Sequence, residues 1–437
     1  MSAQWMDTPL RHLSISWCDG PFGSGLASEH YTDVGARVVR LQNIRSCAFA
    51  GGDEAFVDIE YFKKELSRHA VLPGDVLIAG LGDDNNLVGR ACVAPDGLGP
   101  ALVKADCFRF RLDPKKANAR FVAYSLSTSA GRAAGELSGG STRSRINLGL
   151  MAGRKVLLPP IHEQERIANF LDEQTARIDA LISEKVELLG TLKAHQYSYA
   201  SLIMTRGLSA APSMKPSGYP ELGAVPTHWS VKRLKFLGDV RSGIAKGKDH
   251  GEKEVVSLPY LRVANVQDGY VDLSEVLEID VGVREVDRFL LKVGDVLMNE
   301  GGDNDKLGRG TVWRGQIAPC VHQNHVFAVR LYDTGLADWV ARFTSTDAAR
   351  SYFFLRSKQS TNLASINQGN VRELPVPLPR EDERMAIVVE LERSARANSE
   401  LTAHVQTHVD RLREYRSSLI SAAVTGQLDF GTFKEAA

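Results

Sequence analysis

At 437 residues the chain is longer than one ordinary core, so two or three globular units are expected. Apolar residues at 43% and charged residues at 24% exclude a disordered or fibrous chain. Lys+Arg and Asp+Glu both number 53, so the whole-molecule field does not attract nucleic acid and any DNA footprint must be local.

The N-terminus, MSAQWMDTPLRHLS, lacks the apolar stretch of a secretion signal, and no apolar run approaches the roughly 18 residues of a membrane span, so a cytoplasmic protein with no membrane partner is expected. The first part of the chain carries short β-branched runs, 37–41, 75–78 and 107–112, punctuated by Gly, Asn and Asp, which predicts a strand-rich, loop-rich head over 1–158. The five cysteines are scattered and form no C-x-x-C pair, so neither a disulfide framework nor a cysteine zinc site is indicated.

Pro159-Pro160 ends the strand pattern. A long helix is predicted within the spacer 159–210, from Glu163 to about Thr205, running about 60 Å at 1.5 Å per residue. Alternating spacings of three and four residues select Ile167, Leu171, Gln174, Ile178, Leu181, Lys185, Leu188, Leu192, His195, Tyr199 and Leu202 as a coiled-coil seam. A Pro-bearing polar linker over 211–218 then opens a second strand-rich head, 211–378. A second long helix, 379–437, follows, with a seam from Val388 through Leu391, Val405, Val409 and Leu412 to Leu419.

The second half repeats the first at an offset near 220 residues. Arg40-Leu41-Gln42-Asn43-Ile44 answers to Arg262-Val263-Ala264-Asn265-Val266, and Leu72-Pro73-Gly74-Asp75-Val76-Leu77 to Lys292-Val293-Gly294-Asp295-Val296-Leu297. Gly82-Asp83 with Gly89-Arg90 returns as Gly302-Asp303 with Gly308-Arg309, and Ser141-Thr142 with Ile146-Asn147 as Ser360-Thr361 with Ile366-Asn367. A period this long makes each copy a domain rather than a solenoid element. The expected fold is α+β: two strand-rich heads joined by two long antiparallel helices, each helix covering the other's apolar stripe, with pseudo-two-fold internal duplication.

Catalytic motifs are not found. Gly243-x-x-x-Gly247-Lys248 is one residue short of a phosphate loop and is followed by Asp249 where Ser or Thr would meet magnesium, so it reads as a flexible basic loop. His404-x-x-x-His408 lacks the glutamate of a metallopeptidase, and Cys320, His322 and His325 have no fourth ligand and no counterpart triad in the first copy. No Asn-Pro-Pro-aromatic segment is present. No metal site is expected.

The segment Leu157-Leu158-Pro159-Pro160-Ile161-His162-Glu163-Gln164-Glu165-Arg166-Ile167, its echo before the second helix, and the close Ser201-Leu202-Ile203 with Thr205-Arg206-Gly207 resemble the spacer regions of type I restriction-modification specificity subunits. Gly218-Tyr219-Pro220-Glu221-Leu222-Gly223 resembles the start of that family's second recognition domain. The second copy departs from the pattern, with Asp382-Glu383-Arg384 where Gln is favoured before Glu-Arg. The resemblance implies that each head is a target-recognition domain reading one half of a split site on double-stranded DNA. It implies a non-catalytic chain with no cofactor of its own, and two methyltransferase (modification) subunits docked on it. Restriction (motor-nuclease) subunits would join through them, and S-adenosylmethionine, ATP and magnesium would belong to those partners. A fused restriction or modification enzyme and a coiled-coil adaptor are the other classes open to a chain of this pattern.

Major-groove reading needs Arg or Lys for guanine and Asn or Gln for adenine. The candidates are Ser141, Thr142, Arg143, Arg145 and Asn147 in the first copy, with Lys358, Ser360, Thr361, Asn362 and Asn367 in the second. A second matched loop offers Asn85, Asn86 and Arg90, with Asn304, Lys306 and Arg309, and the basic loop adds Lys246 and Lys248. Residues shared by both copies are expected to shape loops or touch phosphates, and residues that differ, such as Arg143 and Asn362, to choose bases.

Overall fold

The computed structural model describes residues 5–83, 85–137, 144–247, 254–302, 307–359 and 364–428. The chain divides into two compact units, Met1–Val186 with Thr407–Ala437, and Glu187–Gln406. Each unit therefore holds one strand-rich region together with a portion of both long helices, Ile161–Arg206 and Glu381–Val424.

In the first unit an antiparallel sheet runs in the order Ala91–Val93, Val76–Ala79, Cys107–Leu112, Ser14–Cys18. The second unit repeats that order with Gly310–Val312, Val296–Asn299, Val326–Leu331 and Gly238–Ser242. Met6–Pro9 pairs with Lys155–Leu158, and Ser230–Arg233 pairs with Pro375–Leu378 in the same antiparallel manner. Strand Ala101–Val103 lies parallel to Ala36–Val39, as Val321–His322 lies parallel to part of Val255–Leu261. The internal duplication is thus a duplication of topology.

The repeated motifs are backbone necessities. Asn43 and Asn265 are buried, and each accepts the N–H three residues back, from Arg40 and Arg262 at 2.8 Å, while its amide donates to carbonyls across the turn. Asp75 and Asp295, each 2% exposed, accept the N–H of Leu72 and Lys292 at 2.8 Å and take a bidentate guanidinium from Arg111 and Arg330. Gly308 sits at φ +67°, and a Cβ there would lie 2.2 Å from the Phe353 ring. Gly308→Ala is accordingly expected to destabilise the second unit by more than about 1 kcal/mol, read as a lower urea midpoint, since both the backbone and the neighbour oppose it.

In the first unit's core Ile167, Leu171 and Ile178 of the central helix meet Leu419, Ile420, Ala423 and Val424 of the C-terminal helix around Phe108, Phe110 and Phe121. In the second, Ile203 and Met204 meet Ile387 and Leu391 around Trp229 and Trp339. Gly207 lies beside Glu383 and the Tyr199 hydroxyl bonds Glu390 at 2.9 Å, so there the helices run antiparallel.

The expected seam of the C-terminal helix is the one observed, its positions from Val388 to Leu419 all being at least partly buried. The central helix differs in one of its two rows. Ile167, Leu171, Gln174, Ile178, Lys185, Leu192 and Tyr199 are covered as expected, but Leu181, Leu188, His195 and Leu202 are exposed; Ile182, Leu189, Gln196 and Ile203 are covered in their place, and Ala168 and Thr175 are covered as well. Thr175 tolerates burial because its hydroxyl donates to the Leu171 carbonyl at 2.6 Å and lies 3.3 Å from the Tyr124 hydroxyl.

Candidate nucleic-acid interface

Two loops far apart in sequence meet in the first unit because Leu81 pairs with Arg145 and Gly82 with Ser144. The second unit makes the same junction, Gly301 with Ser365 and Gly302 with Ala364, and adds Lys358–Gln359 as a further strand. The N–H of Ile146 donates to Gly80 at 2.9 Å and that of Ile366 to Glu300 at 2.8 Å, fixing both junctions from behind. Short two-residue strands suffice because each is the foot of a loop.

Asn147 and Asn367 cap the helices Leu148–Gly153 and Gln368–Arg372, their side-chain oxygens accepting from Leu150 and Asn370, both at 2.9 Å. This is the loop-shaping role that shared residues carry. Asn85 is exposed and Asn86 half-buried on a turn where the backbone N–H groups of both donate to Asp83 Oδ1, at 2.9 and 2.8 Å, and these bonds hold the Asp83 carboxyl below its ordinary pKa. Arg145 is exposed, with Nε 2.8 Å from Asp106 and its guanidinium 5.8 Å from the Phe22 ring centre. Lys246 and Lys358 are exposed.

Arg90 takes a different part from the one its loop position suggested. It is 6% exposed and donates to five carbonyls, those of Leu41, Ile44, Leu81, Asn86 and Leu87, at 2.7 to 3.2 Å. It staples the 41–45 turn to the 81–87 loop and has no edge left for DNA. Arg309 is also largely covered, bonding Gln267, with Asp268 3.9 Å from its Nε. In that copy buried Asn299 holds the matching turn by donating to the Val266 carbonyl at 3.0 Å. Ser141, Thr142, Arg143, Lys248, Asn304, Lys306, Ser360, Thr361 and Asn362 lie outside the described residues.

Two clefts flank the first junction. One, of about 350 Å³, is lined by Gln42, Arg45, Gly82, Asp83 and Asn86 with Arg90 beneath. The other, of about 650 Å³, is lined by Asp19, Phe22, Asp106, Arg145 and Asn147. Burial raises the Asp19 carboxyl to about 6. Gln42 and Arg45 were not among the sequence candidates. The repeat alignment held a signal for Arg45, whose counterpart is Gln267, but the matched stretch stops one residue short of it.

His322 is a core residue, with Nδ1 2.6 Å from the Val326 carbonyl, and His325 hydrogen-bonds Glu300. These are ordinary structural contacts for the histidines of the Cys320 cluster.

The departure from the spacer pattern also has a physical counterpart. Gln164 is buried, accepts from the Asn118 N–H at 2.9 Å and donates to Pro159 at 2.9 Å, tying the start of the central helix to the loop before it. At the C-terminal helix that position is exposed Asp382, and Glu383 makes the tie instead, receiving Trp229 Nε1 at 3.0 Å and His228 Nε2 at 2.7 Å.

Residues 69–188 match the family model for the type I restriction modification DNA specificity domain. That stretch, which spans strands of the first unit and the start of the central helix, is where the chain matches a type I restriction-modification specificity domain. It is 23% identical over 432 residues to the type I restriction enzyme EcoKI specificity subunit of Escherichia coli (strain K12), covering 97% of this chain and 89% of that one. With the StySPI specificity subunit of Salmonella potsdam it shares 22% over 430 residues, at the same coverage. A solved chain from work on complex assembly and conformational transition of the type I R-M system superposes with a TM-score of 0.67 at 14% identity, covering 97% of this chain and 98% of that one. That fold is therefore shared over essentially the whole length. Among the described residues no helix is long and apolar enough to cross a membrane.

Proposed function

We propose that each unit reads one half of a bipartite site on duplex DNA, the first through the loops around 41–46, 81–90 and 144–147 and the second through their counterparts. The observation that supports this most directly is the duplicated loop junction, Leu81–Gly82 against Ser144–Arg145 and Gly301–Gly302 against Ala364–Ser365. The framework residues at both junctions are shared and the exposed side chains differ, as two readers with different targets require. The chain itself performs no chemistry. Two methyltransferase subunits dock on it, motor-nuclease subunits join through them, and S-adenosylmethionine, ATP and magnesium are held by those partners in the cytoplasm.

Exchanging residues 1–155 for the corresponding part of another specificity subunit is expected to change one half of the methylated sequence and leave the other intact. Methylome sequencing reads the outcome, and a change in both halves would refute independent readers. The purified chain alone is expected to transfer no methyl group to DNA. Because the net charge is zero, binding rests on local Arg and Lys contacts and should weaken steeply between low and moderate salt.

A further inference from the structure

Arg45 opens the hairpin in which it pairs with Ala48, and its backbone is placed by Arg90 through the neighbouring Ile44 carbonyl at 2.7 Å. Its guanidinium is exposed, and Nη1 donates to the side-chain oxygen of Asn86 at 2.9 Å. Asn86 is itself fixed, since Asp83 Oδ1 accepts both its backbone N–H at 2.8 Å and its side-chain amide at 3.3 Å. A chain of bonds from Asp83 through Asn86 thus sets the direction of Arg45 within the cleft it shares with Gln42.

Several other arginines of this unit have different surroundings: Arg37, Arg40, Arg120 and Arg145 each pair with a carboxylate. Arg45 is steered by a neutral amide, and among the described residues no carboxylate is paired with it. A guanidinium held by one nitrogen keeps its full charge and the donors needed for a two-point contact, and the commonest partner for that contact in the major groove is the O6/N7 edge of guanine. In the second copy the same position is Gln267, whose amide donates to its own Ala264 carbonyl at 2.7 Å and whose oxygen accepts from Arg309. The turn that carries the position is closed by Asn43 and Asn265 alike, while the residue on it differs, which is the pattern expected of a reading position.

We propose that Arg45, oriented by Asn86, is a specificity-determining residue that reads a guanine in the half-site recognised by the first unit. This rests on the reading that the unit binds DNA sequence-specifically.

The test is selection of bound sequences from a pool of randomised duplex DNA by the full-length chain assembled with its methyltransferase subunits. Wild type, Arg45→Ala, Arg45→Gln and Asn86→Ala are compared, with circular dichroism melts to establish that each variant is folded. Wild type should enrich a bipartite consensus. Both Arg45 variants should lose one guanine from the half that follows residues 1–155 in the exchange experiment, with discrimination at that position falling by roughly tenfold or more and the other half unchanged. Asn86→Ala should weaken preference at that same guanine and at no other position. If the Arg45 variants enrich the wild-type consensus, or bind every sequence uniformly less well with the consensus intact, Arg45 is not a base reader and the proposal falls while bipartite recognition stands. If wild type itself enriches no consensus, both fall together.

Discussion

Asp75→Ala is expected to be among the most destabilising single substitutions in the first unit. Asp75 is 2% exposed and carries three jobs: both oxygens accept from Arg111 at 2.8 Å, Oδ2 accepts the Leu72 N–H at 2.8 Å, and Arg109 Nε stands 4.0 Å away. Arg109 is almost as deeply buried as the aspartate. Removing the carboxylate would leave two guanidinium groups facing each other beside an unpaired N–H, and breaking a buried pair in that way costs about 3–5 kcal/mol. The matching Asp295→Ala loses one arginine partner, Arg330, where Asp75 has Arg111 with buried Arg109 beside it, so its loss should fall near the lower end, at about 3 kcal/mol. Asp75→Asn keeps an acceptor for Leu72 and should lie between wild type and Asp75→Ala. Native-state hydrogen exchange is the suitable measurement, because a chain of two units is not expected to unfold in one step. Protection should drop in strand Val76–Ala79 for the first variant and in Val296–Asn299 for the second. Equal protection in Asp75→Ala and wild type would show that the guanidinium groups find other partners.

The duplication was readable in the sequence because the matching residues are those the backbone depends on. A buried aspartate that closes a turn and pairs an arginine, or an asparagine that caps a short helix, has few substitutes, so Asp75/Asp295, Asn43/Asn265 and Asn147/Asn367 stand out when the halves are laid over each other. The long helices were readable from periodicity, and the register of the C-terminal one with them. Part of one row of the central helix, from Leu181 onward, was misplaced because polarity is a poor guide where hydrogen bonds close locally. Thr175 satisfies its hydroxyl on its own helix and goes inside, while Leu181 and Leu188 look like core and stay out.

The loops that meet at each junction were also legible, since they recur at matching positions, but their pairing across more than 60 residues was not. Side-chain roles within them depend on that pairing. Arg90 looks like a DNA contact in the sequence and is a buried staple in the fold, because five carbonyls converge where the 41–45 turn crosses the 81–87 loop. Arg45 looked unremarkable for the converse reason: nothing local marks a residue whose neighbour across the cleft, Asn86, is 41 positions away.

The second unit is expected to lose stability in mild acid through His322. The imidazole is 1% exposed, and Nδ1 donates to the Val326 carbonyl at 2.6 Å, which fixes the neutral tautomer. Burial is the main cause that drives its pKa down to about 4, with Arg330 and Arg241 opposing a second positive charge more weakly and Asp295 acting the other way. The unfolded chain binds the proton near pH 6.5 and the native unit only near 4, so the contribution to stability is complete above 6.5 and disappears as pH falls through that window. Integrated over the window it amounts to about 3 kcal/mol at most. At the equivalent position of the parallel strand in the first unit stands Val103, fully buried, which shows that the site accepts an aliphatic side chain. His322→Val should therefore flatten the acid slope of the second unit. Urea unfolding followed by tryptophan fluorescence between pH 7.5 and 4.5 measures it, because Trp229, Trp313 and Trp339 are all buried in that unit. Asp19 in the first unit works in the opposite sense: its carboxyl, raised to about 6 by burial, contributes most in acid and loses that contribution as pH rises through 6. If the fluorescence slope is the same in His322→Val as in wild type, the proton taken up on unfolding belongs to another group.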